Sequence, residues 1–141
     1  MDAAMSSSRE YSDLLLEHYR NPRNVGELED ADTVVTVGDP EHGDVMRLSL
    51  RIVEGRVSEA RFKTFGCAAA IAAGSMTTEI ILGKALSDLE EITNIEVATA
   101  LGGLPRGKVH CSVLAEQALR ESVAVYRRRL RNAAEETVVD K

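Results

Sequence analysis

Residues 45–64 read Val45-Met46-Arg47-Leu48-Ser49-Leu50-Arg51-Ile52-Val53-Glu54-Gly55-Arg56-Val57-Ser58-Glu59-Ala60-Arg61-Phe62-Lys63-Thr64. Successive side chains of a strand point to opposite sides, so Met46, Leu48, Leu50 and Ile52 share one face and Arg47, Ser49 and Arg51 the other. Glu54-Gly55 interrupts the run as a hairpin turn. The return segment then sets Ala60, Phe62 and Thr64 against Glu59, Arg61 and Lys63. A strand pair with one wet and one apolar face belongs to an antiparallel sheet covered on one side.

Toward the N-terminus, Thr33-Val34-Val35-Thr36-Val37 is β-branched and predicts a further strand. The loop Gly38-Asp39-Pro40-Glu41-His42-Gly43-Asp44 joins it to the hairpin, and Glu27 to Asp32 reads as an acidic loop. Ser7 with Glu10 has capping-box spacing. Tyr11, Leu14, Leu15, His18 and Tyr19 follow at helical spacing, and this helix stops at Asn21-Pro22 because proline disfavours helical geometry in the residue before it.

Toward the C-terminus, Ala68-Ala69-Ala70-Ile71-Ala72-Ala73-Gly74-Ser75-Met76 changes the composition at once. Such small residues form helix and allow close approach to a sheet, and the helix runs to Leu82 with Gly83 as its stop. Ser87 with Glu90, and Thr93 with Glu96, repeat the capping-box spacing and predict two short helices before Leu101. Gly102-Gly103-Leu104-Pro105 breaks the chain, and a long helix follows Cys111 to about Arg131. The expected class is α+β, a three-stranded antiparallel sheet with helices packed on one face. One domain spans residues 1–141, with frayed ends at about 1–8 and 132–141.

The chain has 141 residues, enough to bury a core, with 44% hydrophobic and 28% charged residues. Its net charge of −6 argues against nucleic acid as a partner. No apolar run approaches the roughly 20 residues of a membrane span. Met1-Asp2-Ala3-Ala4 lacks the basic and apolar regions of a secretory signal. Two cysteines do not make a disulfide framework in a chain this long, and a cytoplasmic, reducing setting is expected.

Both cysteines stand at predicted helix entrances, Cys67 before the alanine-rich helix and Cys111 in Lys108-Val109-His110-Cys111-Ser112 before the last one. Unsatisfied N–H groups there stabilise a thiolate, the form that ligates metals or attacks sulfur. His42 and Asp44 lie in the loop before the second strand. Three connections thus carry two thiols, two imidazoles and a carboxylate, a donor mixture suited to zinc or an iron–sulfur cluster. Each residue also has an ordinary reading. Cys67 can be a small buried apolar residue, His42 a solvated loop histidine, and Asp44 the end of a loop. Arg127-Arg128-Arg129 with Arg131 reads better as dipole complementarity at a helix C-terminus than as a nucleic-acid patch.

Taken together, these residues resemble the IscU/NifU-N family of iron–sulfur cluster assembly scaffolds, whose fold is SufE/NifU-like. The match is carried by Tyr11 to Gly26, Gly43-Asp44-Val45-Met46 and Phe62-Lys63-Thr64-Phe65-Gly66-Cys67. Ala70-Ile71-Ala72 and Lys108-Val109-His110-Cys111-Ser112 with Leu114-Ala115-Glu116 extend it. The resemblance implies a carrier without enzymatic turnover. Such a carrier accepts sulfur from a cysteine desulfurase and iron from a donor, assembles a [2Fe–2S] cluster and passes it to apo iron–sulfur proteins. Asp44, Cys67, His110 and Cys111 match the family's cluster and metal ligands. Cys111 matches its persulfide acceptor, for which a lowered thiol pKa would serve, and Asp44 its exchangeable ligand.

Two departures bear on this. The family's A-C-G-D motif is Glu41-His42-Gly43-Asp44 here, so a histidine replaces its first cysteine. Imidazole does ligate cluster iron in Rieske centres, and the expected set is His42, Cys67 and Cys111, completed by Asp44 or His110. Leu104-Pro105-Arg106-Gly107-Lys108 replaces the family's L-P-P-V-K. The lost second proline counts against recognition by an Hsp70-type chaperone. The insertion that marks the SufU branch is absent. An alternative is a zinc-bound sulfur relay serving a desulfurase, with Cys111 as shuttle and Cys67, His42 and Asp44 on zinc. Another is a degenerate relative that binds desulfurase without building clusters. A cluster bridged between chains would make a homo-oligomer.

Overall fold

The computed structural model describes residues 11–139, with the side chains of His42 and of residues 136–139 outside the description. The capping box at Ser7 and Glu10 and the frayed N-terminal end lie outside the described residues. Strands β1 (Thr33–Asp39), β2 (Asp44–Val53) and β3 (Arg56–Phe65) form one antiparallel sheet in the order β1-β2-β3. Leu48 faces Val35 on one side and Phe62 on the other. Met46, Leu48, Leu50, Ile52, Ala60 and Phe62 are all buried, as the alternation requires. Glu54 and Gly55 both take positive φ, 53° and 77°, the backbone of a two-residue hairpin whose twist matches its strands. Thr64 is only half-buried, and its hydroxyl donates to the Val45 carbonyl at 2.7 Å. Ser49 is buried despite its outward position, flanked across the sheet by Val34 and Arg61.

The helices are α1 (Asp13–Arg20), α2 (Ala68–Ile81), α3 (Leu86–Leu89), α4 (Asn94–Ala100) and α5 (Val109–Val139). α2 packs on β3, and α5 packs on β1 and β2, so the helices cover one face of the sheet. Alanines 69, 70, 72 and 73 are fully buried there, because small side chains let the helix backbone approach the strands. α1 begins at Asp13, later than its apolar spacing suggests, since Ser12 caps it by accepting from the Leu15 N–H at 2.9 Å. It ends at Asn21, before Pro22, as expected.

Three boundaries differ from expectation. α3 is preceded by Ala85 rather than capped by Ser87, while Thr93 does cap α4 by accepting from the Glu96 N–H at 3.2 Å. The loop after β1 is shorter than expected, because β1 continues to Asp39 and Pro40–His42 form a 3-10 turn. α5 starts at Val109 and remains helical to Val139, past the position assigned to a frayed end. Asn132 to Glu136 contain no glycine or proline, and Ala133-Ala134-Glu135-Glu136 are strong helix formers. Arg127 pairs with Glu90, and Arg129 donates to the Asp32 carbonyl, so two of the clustered arginines tie α5 to its neighbours. No described helix is long and apolar enough to cross a membrane.

Candidate functional site

Three chain segments meet at one end of the sheet: the start of β2, the β3–α2 connection and the first turn of α5. Asp44 is the first residue of β2, paired across the sheet with Asp39. Its position depends on two neighbours without side chains. A Cβ at Gly38 would fall 2.2 Å from the Asp44 carbonyl oxygen, and one at Gly66 would fall 2.6 Å from Asp44 Oδ1. Only glycine at these places leaves the carboxylate where it stands.

Cys67 is the N-cap of α2, with its carbonyl accepting from the Ala70 and Ile71 N–H groups at 3.0 and 3.1 Å. Its thiol makes no capping bond and instead lies 3.7 Å from the Cys111 sulfur, across 44 residues of sequence. His110 and Cys111 sit inside the first turn of α5 rather than ahead of it, because the helix begins at Val109. His110 Nε2 lies 2.8 Å from Asp44 Oδ2 and 3.6 Å from Cys111 Sγ. The ligand atoms of Asp44, His110 and Cys111 all fall within 4.8 Å of one another. The Asp44 and His110 side chains are 20% and 52% exposed, whereas Cys111 is fully buried behind them. Oxygen, nitrogen and sulfur therefore converge on a rim that opens to solvent on the Asp44 and His110 side, with the Cys67 sulfur 3.7 Å from Cys111 Sγ.

The expected low pKa at Cys111 is not found. Burial pushes this thiol up to about 12, and the Cys67 sulfur and Asp44 carboxylate add to the rise, while Lys108 opposes it. A helix start favours the anion, but a buried thiolate beside a second sulfur and a carboxylate loses more than the dipole returns. Lys108, which the sequence offered only as a neighbour of His110, is a member of the site. The Cys67 sulfur, then the Tyr11 hydroxyl, hold its ammonium above the ordinary lysine range against partial desolvation, with Cys111 contributing. His42 ends the 3-10 turn two residues before Asp44, and its side chain lies outside the described residues.

His18, given no role from the sequence, is buried, with Nδ1 2.7 Å from the Ser75 hydroxyl. That hydroxyl also accepts from the Arg23 N–H at 2.9 Å, so α1, α2 and the 21–26 connection are joined at one oxygen. The only sequence signal for this was the place of His18 in the apolar spacing of α1.

Comparison with known proteins follows the same residues. The profile of the NifU-like N terminal domain matches residues 10–133. The iron-sulfur cluster assembly scaffold protein IscU 1 of Archaeoglobus fulgidus is 50% identical over 119 residues, covering 84% of this chain and 78% of that protein. The IscU scaffold protein of Escherichia coli is 45% identical over 121 residues, covering 83% of this chain and 94% of that one. In fold, the chain is similar to the N-terminal part of a nitrogen-fixing NifU-like protein from Brucella abortus. That likeness has a TM-score of 0.69 at 18% identity and covers 86% and 97% of the two chains. The matched span contains every element of the sheet and the four donor residues, and this chain belongs to the NifU-like N-terminal domain family.

Proposed function

We propose that this protein is a scaffold on which iron–sulfur clusters are assembled and from which they pass to other proteins. The observation that carries the reading is the meeting of Asp44, Cys67, His110 and Cys111 from three distant segments at one partly open rim. Thiolates and imidazole suit iron in a sulfide-bridged cluster, and a carboxylate is the harder, more readily exchanged donor. The cargo is of the [2Fe–2S] kind, and His42 is a further ligand, standing where the family carries a cysteine. Sulfur comes from a cysteine desulfurase as a persulfide, with Cys111 as its acceptor, and iron from a separate donor. The recipients are apo iron–sulfur proteins, and the protein performs no turnover of its own. Two unpaired thiols in contact require a reducing compartment such as the cytoplasm.

A second reading is a zinc-bound sulfur relay with Cys111 as shuttle and Cys67, His42 and Asp44 on zinc, favoured by the thiol, imidazole and carboxylate donors gathered at this end of the sheet. Anaerobic reconstitution with ferrous iron and sulfide separates the two. A scaffold develops visible charge-transfer bands with iron and acid-labile sulfide in equal amounts. Protein that stays colourless, keeps one tightly held zinc against excess iron and still activates a desulfurase is a relay, and the scaffold reading is then wrong.

A further inference from the structure

The site holds the only two thiols of the chain, and they touch. Sulfur delivered as a persulfide is at the sulfane level and needs two electrons before it can enter a cluster as sulfide. A pair of adjacent thiols contains those two electrons. We propose that Cys67 and Cys111 act together as the reductant that frees sulfide from the incoming persulfide, closing a transient Cys67–Cys111 disulfide. The inference rests on the scaffold reading for the origin of the sulfur, and on the geometry for the step.

The step balances. With the sulfane sulfur on Cys111, the Cys67 sulfur attacks Cys111 Sγ, the inner sulfur of the persulfide. The Cys67–Cys111 bond forms and the Cys111 S–S bond to the outer sulfur breaks. The outer sulfur leaves with the bonding pair and takes up the Cys67 thiol proton, departing as hydrogen sulfide. Two thiol sulfurs are oxidised to a disulfide, and one sulfane sulfur is reduced to sulfide. The same disulfide and the same sulfide result if the extra sulfur sits on Cys67 first. A dithiol reductant then restores both thiols by exchange and carries away the two electrons as its own disulfide.

Three features favour the step. The sulfurs stand 3.7 Å apart, and a disulfide needs about 2.05 Å, so the gap to close is about 1.65 Å. Cys67 is half-buried at a helix N-cap, and its thiol makes no capping bond but lies against the Cys111 sulfur. The partly exposed Asp44 and the exposed His110 border the place where sulfide is released, so it emerges beside the donors for iron. Because His42 stands where the family carries its first cysteine, no other thiol can serve as reductant within the chain.

The test uses the full-length, reduced, metal-free protein and one equivalent of glutathione persulfide under anaerobic conditions. Non-reducing intact mass and trapped sulfide are read together. Wild-type protein should become lighter by two hydrogens and release one equivalent of sulfide. Cys67→Ser should show no loss of two hydrogens and should release sulfide at least roughly tenfold more slowly. Cys111→Ser should do the same, and Cys111→Ala replaces it if the buried hydroxyl prevents folding. Wild-type protein that holds a stable added sulfur with both thiols unoxidised overturns the proposal, as does Cys67→Ser releasing sulfide at the wild-type rate. Reconstitution with free iron and sulfide bypasses this step, so failure there strikes the scaffold reading, and failure here strikes only the thiol-pair step.

Discussion

Gly66 and Asp44 are packed so closely that a methyl group on Gly66 would lie 2.6 Å from Asp44 Oδ1. The glycine beside Cys67 is therefore part of what aims the carboxylate at His110, 2.8 Å away. A Gly66→Ala substitution displaces the carboxylate, and the nearest other contact for its methyl is Ala70 Cβ at 3.1 Å. We expect ferrous-iron and zinc affinity to fall by about 10- to 100-fold, as when the support of a ligand is lost. Calorimetric titration checks it, and unchanged affinity would mean that Asp44 does not ligate.

Cys111 should be inert to alkylation in the native, metal-free protein. With its thiol pushed up to about 12, roughly one molecule in ten thousand carries the thiolate at pH 8, and the sulfur is also buried. Iodoacetamide should label Cys67 alone until urea is added, when both react. The folded value stands above the ordinary 9.0, so the native state keeps a proton that the unfolded chain loses at high pH. This contribution to stability is complete below pH 9.0 and is lost as pH rises toward 12. The urea midpoint should fall over that range, and less steeply in Cys111→Ala.

His18 sets an opposite, acid-side dependence. Burial first, and then Arg23, lower its pKa below 6.5, against the pull of Glu79 and Glu17. The native histidine is neutral where the unfolded one gains a proton, so the unfolded state binds more protons and stability rises with pH. The contribution is present above 6.5 and is lost as pH falls from there toward the folded value. Unfolding free energy measured across this window should decline in wild-type protein. His18→Gln, which keeps a polar group near Ser75, should flatten the slope, and an identical slope in the variant removes His18 as its source.

Gly74 lies under the Phe62 ring, where a Cβ would stand 2.4 Å from a ring carbon. Alanine is the better helix former by about 1 kcal/mol, yet overpacking a full core costs about 1–3 kcal/mol. Gly74→Ala should therefore be destabilising on balance, read as a lower denaturant midpoint. Combining it with Phe62→Leu, which removes the clashing ring edge, should cost less than the two single effects added together. Simple additivity would show that the clash is relieved elsewhere.

His42→Ala tests the histidine at the family's cysteine position. As a ligand, it should leave a reconstituted cluster with lower yield and shorter lifetime, followed by visible absorbance under anaerobic conditions. Equal yield and lifetime would exclude His42 from the ligand set.

The α+β class, the hairpin turn and the buried faces of Met46 to Ile52 and of Ala60 and Phe62 could be read from the period of residues 45–64, because alternation is local. The register shift at Arg51/Ile52, which buries Val57 as well as Ala60, could not. Cys67 at the head of α2 could be read as well, from the change in composition that follows it. The four donors could be named from the sequence through their motifs, but their distances could not, since contacts across 44 or 66 residues depend on how α2 and α5 lie on the sheet. Burial of Cys111 reversed the thiol pKa expected from a helix start, because desolvation is set by what surrounds a sulfur and not by its neighbours in the chain. Lys108, Gly66 and His18 gained their roles in the same way: charge, close approach and hydrogen bonding between distant segments exist only once the core has packed.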